Sequence, residues 1–374
     1  MNVLILTKTF PDRIEDWSGI FVKEQADAIV TEHSVTVVKC RVDYNNFNPF
    51  FIFSTKADSS YNYVCFNILV SRSFPVYNQL NYILSTYMAL LKIIKENRPD
   101  IIHCHYAFPV GFVAWLIRLK TGIPYLVTEH SNLKSTFRSI FHKYLSLIAL
   151  KKASVVIAVS NSLKKELVTA GIKRTEVVPN VINTDRFIIS IKKAGLYTIG
   201  FLGSLNSHNK GLDILLKACR DMPFDYSLKI GGTGKYLQYY KDWAMTNGLS
   251  GKTVFLENVS PGNINSFYSD INLFVLPSRY ETFGIVLVEA MSSGIPVIST
   301  RCGGPEDIVN HRNGILIEID DPDGLKEAII SIHSNKADYK PAEIRDYAID
   351  NYGFKPFLKK INSLYNFCLS AQDA

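Results

Sequence analysis

Short runs of consecutive apolar, often β-branched residues alternate along the chain with longer stretches whose apolar positions recur at helical spacing. The short runs predict buried strands near 2–7, 34–40, 64–70, 100–104, 124–128 and 154–158, and the longer stretches predict helices including 19–31, 78–97, 110–121 and 161–170. After Pro179, Asn180 and a polar segment ending at Ala194 and Gly195, the alternation restarts, with strands near 197–202, 226–231, 253–256, 272–276 and 296–299. Strand–helix alternation of this kind builds parallel sheets covered by helices. Two doubly wound α/β domains are therefore expected, residues 1–185 and 186–352. Gly353 and the residues after it read as a terminal amphipathic helix, 353–374, expected to pack back on the first domain. Open parallel sheets bind ligands beyond the carboxyl ends of their strands, so two such domains facing one another would enclose a cleft.

Composition narrows the class without changing this picture. With 374 residues, 47% apolar and 20% charged, the chain is an ordinary folded protein, which excludes a disordered segment, a collagen-like rod or a small stapled scaffold. Cys40, Cys65, Cys104, Cys219, Cys302 and Cys368 are scattered without any closely spaced pair, so they read as reduced thiols and suggest a cytoplasmic protein. Met1–Thr7 lacks the pattern of a signal peptide, and no run of about 18 apolar residues suggests a membrane-spanning helix. The net charge of +7 lies wholly in the first half: residues 1–185 hold 21 Lys and Arg against 14 Asp and Glu, and residues 186–374 hold 20 of each. This is either an ordinary solvated surface or a face turned toward an anionic partner such as a membrane.

The densest chemistry follows the apolar strand ending at Leu276. Glu281 falls in the loop beyond it, Gly284 opens a helix, and Glu289 lies about one turn on from Ile285. The free amides of a helix start form an anion site. Two carboxylates flanking it, each able to accept hydrogen bonds from vicinal hydroxyls, suit a nucleotide sugar. The plainer alternative is that Glu281 complements the helix dipole and Glu289 is solvated. Two further strand ends add to the first reading. Gly203-Ser204 leads to Lys210-Gly211, a flexible cation before a helix, and Gly231-Gly232-Thr233-Gly234 allows close approach of backbone to a ligand.

The order Gly203-Ser204-Leu205 to Lys210-Gly211, then Gly231 to Gly234, then Pro277 to Gly284 with Glu289, then Gly303-Gly304-Pro305-Glu306, resembles the donor domain of the retaining family 4 glycosyltransferases of GT-B fold. That resemblance implies two Rossmann-like domains facing a cleft. It also implies that Glu281 lies by the transferred sugar and Glu289 by the ribose. Lys210 and the amides of Phe283 and Gly284 would then lie on the donor diphosphate, with Ser204 and Gly232 close by. No divalent metal or other cofactor is implied, the nucleoside diphosphate sugar being a co-substrate. Ser204 stands where the family often has an arginine, so a second cation would come from Arg279 or Arg301.

In the first half, Gly19 opens a helix after the loop that follows the first strand, and the resemblance places that loop by the donor phosphates. His130 lies just past the strand near 124–128, and by the same resemblance hydrogen-bonds the transferred sugar. His103 and His105 alternate on one strand end without a third ligand at suitable spacing, which argues against a metal site. The segment 134–152, with Lys134, Arg138, Lys143, Lys151 and Lys152 among apolar residues, suits either an ordinary core helix or one lying in a membrane interface. Phe47, Phe50, Phe51, Phe53, Tyr61 and Tyr63 form an aromatic stretch that lines an acceptor surface or packs internally. No nucleic-acid-binding module is evident.

The expected activity is transfer of a hexose or N-acetylhexosamine, from a UDP-sugar by preference, to a glycan or lipid-linked acceptor with retention at the anomeric carbon. Its setting would be cell-envelope polysaccharide synthesis, in the cytoplasm or at the inner face of the membrane. An epimerase, a phosphorylase or a non-catalytic sugar-nucleotide-binding protein would share the same pattern.

Overall fold

The computed structural model describes residues 1–12, 16–43, 52–57, 61–69, 75–137, 139–189 and 195–370. Phe47, Phe50, Phe51 and Arg138 lie outside the described residues, as do the side chains of Phe53 and Lys134. The chain divides into two compact units, one of Met1–Asp12, Ser18–Val181 and Lys355–Ala374, the other of Arg13–Trp17 and Ile182–Phe354.

Unit 1 is built on β1 (Asn2–Thr7), β2 (Ser34–Asp43), β3 (Ile52–Ala57), β4 (Asn62–Leu69), β5 (Ile101–His105), β6 (Tyr125–Glu129), β7 (Val156–Ala158) and β8 (Thr175–Val177). They form one sheet in the order β3-β4-β2-β1-β5-β6-β7-β8. All pairings are parallel except β3 with β4. In β1 every residue from Val3 to Thr7 is buried, as a strand covered on both faces requires, and this is why it reads as an unbroken apolar run. The terminal helix Phe354–Ser370 belongs to this unit: Asn362 bonds His33 at 2.7 Å, and the Tyr365 hydroxyl lies 2.7 Å from His103 Nδ1.

Two parts of this unit depart from the sequence pattern. The aromatic stretch supplies a hairpin strand, β3, and Tyr61 and Tyr63 pack internally against Phe10 at centroid distances of 6.0 and 5.3 Å. The basic segment near 134–152 is broken in two, Leu133–Thr136 and Ile140–Lys152, because the Ser139 hydroxyl accepts from His142 N at 3.2 Å and caps the second helix.

Unit 2 contains β9 (Tyr197–Leu202), β10 (Tyr226–Gly231), β11 (Thr253–Glu257), β12 (Leu273–Leu276), β13 (Val297–Thr300) and β14 (Gly314–Ile317), all parallel, in the order β11-β10-β9-β12-β13-β14. The edge strands β8 and β14, three and four residues long, are too short to reveal a period, and neither is evident in the sequence. The strand order reverses between β9 and β12, where the connections leave toward opposite sides and open a crevice at the carboxyl ends. In unit 1 the corresponding point lies between β1 and β5. All six cysteines are buried thiols outside any disulfide, and burial pushes those of Cys40 and Cys302 up to about 12 and about 11.

Candidate functional site

The loops leaving β9 and β12 meet at the reversal point of unit 2. Lys210, ending the short turn His208–Lys210 after β9, places its ammonium on Glu281 Oε1 in the loop after β12. Ser278 Oγ donates to the same oxygen at 3.0 Å, and Glu281 is 8% exposed. Main-chain contacts hold the two loops in register: Arg279 N donates to Asn209 O at 2.7 Å, and Asn209 Nδ2 donates to Tyr280 O at 2.9 Å. Gly211 adopts φ +69°, and a Cβ there would lie 1.9 Å from Pro277 O, so no other residue allows this approach.

Beyond Glu281 the chain turns at Gly284, φ +99°, into helix Ile285–Ser292. Six of its eight residues are buried, Glu289 among them, as befits a helix sunk in the core. No side chain caps its start, and the N–H groups of Ile285 and Val286 precede the bond from Leu287 N to Gly284 O at 3.0 Å. Those donors and the helix dipole favour an anion. Phe283 is a core side chain, 5.8 Å from the Tyr352 ring, so only its main chain can serve a ligand. That main chain is fixed by Gly304, where a Cβ would lie 2.4 Å from Phe283 Cα, and Gly304 N donates to Glu281 O at 2.8 Å. Glu289 Oε2 accepts from the buried Tyr268 hydroxyl at 2.9 Å, so this carboxylate is held inside the unit rather than solvated.

The β9 and β10 strand ends also interlock. A Cβ at Gly232 would lie 2.0 Å from Gly203 O, and Leu205 N donates to Thr233 O at 2.9 Å. Ser204 is exposed in this loop and accepts from Asn206 Nδ2 at 3.3 Å. The two arginines considered as a second cation are already engaged. Arg279 makes a bidentate pair with Asp213 at 3.0 and 2.8 Å and reaches Asp320 at 2.7 Å. Arg301 lies 3.4 Å from Glu318.

Unit 1 presents a different kind of site at its reversal point. Gly19 caps helix Ile20–Ile29 with φ +78° and lies on the main chain of Thr9 and Phe10, the residues just after β1. His103 and His105 face His130 in a buried stack: ring centroids are 4.7 Å apart for the first pair and 5.2 Å for His105 and His130. His103 bonds Tyr365 and Thr128, both at 2.7 Å, and His105 Nδ1 lies 2.9 Å from His130 Nε2. The two histidines of β5 are thus internal hydrogen-bonding groups. Burial lowers all three imidazoles, His103 and His130 to about 3, so they are neutral at neutral pH.

His105 Nε2 bonds no protein atom, and the Asn180 side chain lies against His130. Beside it, Glu129 accepts from the main-chain N–H groups of Ala107, His130 and Ser131 at 2.9, 3.1 and 3.1 Å. Burial raises the Glu129 carboxyl against these bonds and the charge of Lys8. Among the described residues no three His, Cys, Asp or Glu side chains are placed to hold a metal ion.

Residues 183–351 match the family model of glycosyl transferases group 1, and residues 19–186 match that of glycosyltransferase family 4. An uncharacterized glycosyltransferase of Methanocaldococcus jannaschii is 33% identical over 259 residues, covering 69% of this chain and 72% of that protein. The chain is a GT-B glycosyltransferase of family 4. A D-inositol 3-phosphate glycosyltransferase of Corynebacterium urealyticum is 27% identical over 301 residues, 67% of this chain and 69% of its own. In fold, the transferase is similar to sucrose-phosphate synthase from Thermosynechococcus elongatus, with a TM-score of 0.79, 19% identity and coverage of 99% and 100% of the two chains. It is also similar to Anabaena HepE, solved with UDP and glucose, at 0.74 and 18%, covering 98% and 99%.

Several residues that shape the transferase's site escape a reading of motifs. Ser278, which holds Glu281, lies inside the Pro277–Gly284 stretch with nothing to single it out, and Tyr268, which holds Glu289, lies in the mixed segment Ser266–Asp270, which carries no motif. His105 reads as one of a strand pair, and only the fold brings it to His130.

Proposed function

We propose that this glycosyltransferase moves a hexose or N-acetylhexosamine from a nucleoside diphosphate sugar, UDP by preference, to a hydroxyl of a glycan or lipid-linked acceptor, with retention. The observation that supports the reading most is the uncapped start of helix Ile285–Ser292 beside the Lys210–Glu281 pair, at the sheet's reversal point. The amides of Phe283 and Gly284 and the Lys210 ammonium take the diphosphate as negative charge builds on it, with Ser204 and Gly232 in the adjoining loops. Glu281 faces the sugar, and Glu289, oriented by Tyr268, takes the ribose hydroxyls. The family resemblance also gives Gly19 to the donor phosphates and His130 to a hydrogen bond with the transferred sugar. The bond from the anomeric carbon to the diphosphate oxygen breaks and one to the acceptor oxygen forms. The acceptor's proton passes to the leaving phosphate on the same face, which needs no protein base. Preorganised donors of this kind lower the barrier because they do not reorganise as charge develops.

A panel of nucleotide sugars assayed by thermal shift identifies the donor, and the anomeric coupling in the product's proton spectrum reports the stereochemistry. Stabilisation by one donor and a product of unchanged configuration are expected. An inverted product removes the retaining step. An epimerised donor formed without acceptor, or consumption of free phosphate, replaces transfer by epimerisation or phosphorolysis.

A specific surface favours action at an envelope membrane. Ile140, Phe141 and Tyr144 are 90%, 41% and 65% exposed on helix Ile140–Lys152. The neighbouring helix Pro75–Glu96 exposes Leu80, Leu84 and Met88 in a stripe, and Gln79 joins the two helices through His142 at 3.1 Å. With exposed Lys143, Lys151 and Lys152 nearby, this face suits an anionic bilayer. No described helix is long and apolar enough to cross a membrane. Cosedimentation with anionic but not neutral vesicles, weakening as salt rises, is expected; binding indifferent to lipid charge contradicts the proposal.

A further inference from the structure

The turn that carries Lys210 has a second face. His208 lies two residues before Lys210, and Arg279 two residues before Glu281, and both line a separate pocket of about 280 Å³ within unit 2. Tyr239, Tyr240, Trp243 and Asp213 complete its main walls. The His208 ring lies 5.7 Å from Tyr239 and 5.8 Å from Tyr240, and its Nδ1 meets the Tyr240 hydroxyl at 2.8 Å. Tyr239 and Tyr240 cross at 5.3 Å and 69°, so the rings bound the hollow at an angle instead of stacking flat. Tyr239 is 50% exposed, a large ring left in water at the rim.

The polar side of the pocket is equally organised. Asp213 takes both terminal nitrogens of Arg279, and Asp320 pairs with the same guanidinium. Lys217 and Arg279 line the pocket with Asp213, and Asp320, outside the lining, also pairs with Arg279, so two cations are balanced by two carboxylates and the guanidinium is not free to draw a phosphate. The terminal N–H groups of Arg279 are taken by Asp213, Asp320 and the His208 carbonyl, while the Asp213 carboxylate keeps lone pairs that sugar hydroxyls can donate to. Aromatic faces beside such groups suit a ring with apolar C–H faces and an equator of hydroxyls. The volume is near the lower end of the roughly 300–1,000 Å³ of small-molecule sites, enough for one or two sugar residues.

We propose that this pocket is a saccharide-binding site of unit 2, distinct from the Lys210–Glu281 site on the other side of the same loops, which holds one or two residues of a neutral glycan chain. Its occupant would touch His208 and Arg279, which are continuous with the turn that positions Lys210. The inference stands on the pocket's own chemistry and does not require the donor assignment.

The test is titration of the full chain with maltotriose, cellotriose and triacetylchitotriose, with glucose 6-phosphate as the charged comparison, by calorimetry and tryptophan fluorescence. Trp243 is one of three tryptophans, so Trp243→Phe identifies the reporter. A neutral trisaccharide should bind with a dissociation constant of about 0.1–10 mM. The optical change should vanish in Trp243→Phe. Calorimetric affinity should fall at least about tenfold in Tyr239→Ala, return in Tyr239→Phe, and persist in a Lys210→Ala, Glu281→Ala double variant. Four results would overturn the proposal: no binding of any of the three, preference for glucose 6-phosphate, binding unaltered in Tyr239→Ala, or binding lost in the double variant. The last would place the sugar in the donor site and leave the transferase reading intact.

Discussion

The two sheet reversal points solve opposite electrostatic problems. In unit 1, the carboxyl ends of β5 and β6 carry neutral imidazoles, His105 bonded to His130, and Glu129 has three main-chain donors. In unit 2, the loops beyond β9 and β12 keep an ammonium against a carboxylate and leave a helix start uncapped. One end has nearly satisfied itself; the other keeps donors in reserve for an anion. The difference teaches that a shared fold locates a site without fixing its chemistry, which depends on whether the strand-end loops satisfy themselves.

If unit 2 supplies the charge stabilisation, the largest effects fall there. Lys210→Ala and Glu281→Ala should each lower turnover by about 10²–10⁴ while melting temperatures stay near that of the parent. Steady-state kinetics with near-normal turnover in both would erase the contrast. Gly304→Ala, which drives a Cβ into the Phe283 main chain, should cost about 1–3 kcal/mol in denaturant unfolding and weaken donor binding through the displaced amides. Unchanged stability and affinity would mean that this strand-end packing does not set the helix start.

The unit 1 imidazoles give a smaller effect with a definite sign. Their folded values lie below the unfolded value of about 6.5, so the unfolded state binds more protons as pH falls from there toward 3. Stability is full above that window and declines within it. Glu129, raised by burial, opposes this slope at the top of its own range. In His105→Phe the dependence between pH 6 and 4 should flatten by up to about 1.4 kcal/mol per pH unit. An identical slope in the variant would show that His105 is not neutral in the fold. Ser278→Ala, which removes one of the two hydrogen bonds to Glu281 Oε1, should have the mildest outcome, a fall of a few-fold in turnover at about 0.5–1.5 kcal/mol. A loss as large as that of Lys210→Ala would shift the central role to the hydroxyl.

How far the sequence foretells this molecule varies with the range of the interactions. Strands buried on both faces, such as β1 and β12, announce themselves as unbroken apolar runs, and Gly211 and Gly284 mark turns that only glycine allows. The edge strands β8 and β14 do not, because three or four residues carry no period. At the site, Glu281, Lys210 and Gly284 are legible as strand-end chemistry. Their support is not: Ser278 and Tyr268 act through long-range packing, and the commitment of Arg279 to Asp213 and Asp320 follows only from the folded loops. The Ser139 cap that splits the basic helical segment is local, yet the apolar spacing running through it hides the break.

The central claim is that the main-chain donors at the start of helix Ile285–Ser292, together with Lys210, hold a pyrophosphate. A crystal structure of the protein with UDP tests it most directly. The account predicts diphosphate oxygens within hydrogen-bonding distance of the N–H groups between Phe283 and Val286 and of the Lys210 ammonium, with the ribose hydroxyls on Glu289. A diphosphate bound elsewhere, or that helix start still unliganded in a saturated complex, would contradict it.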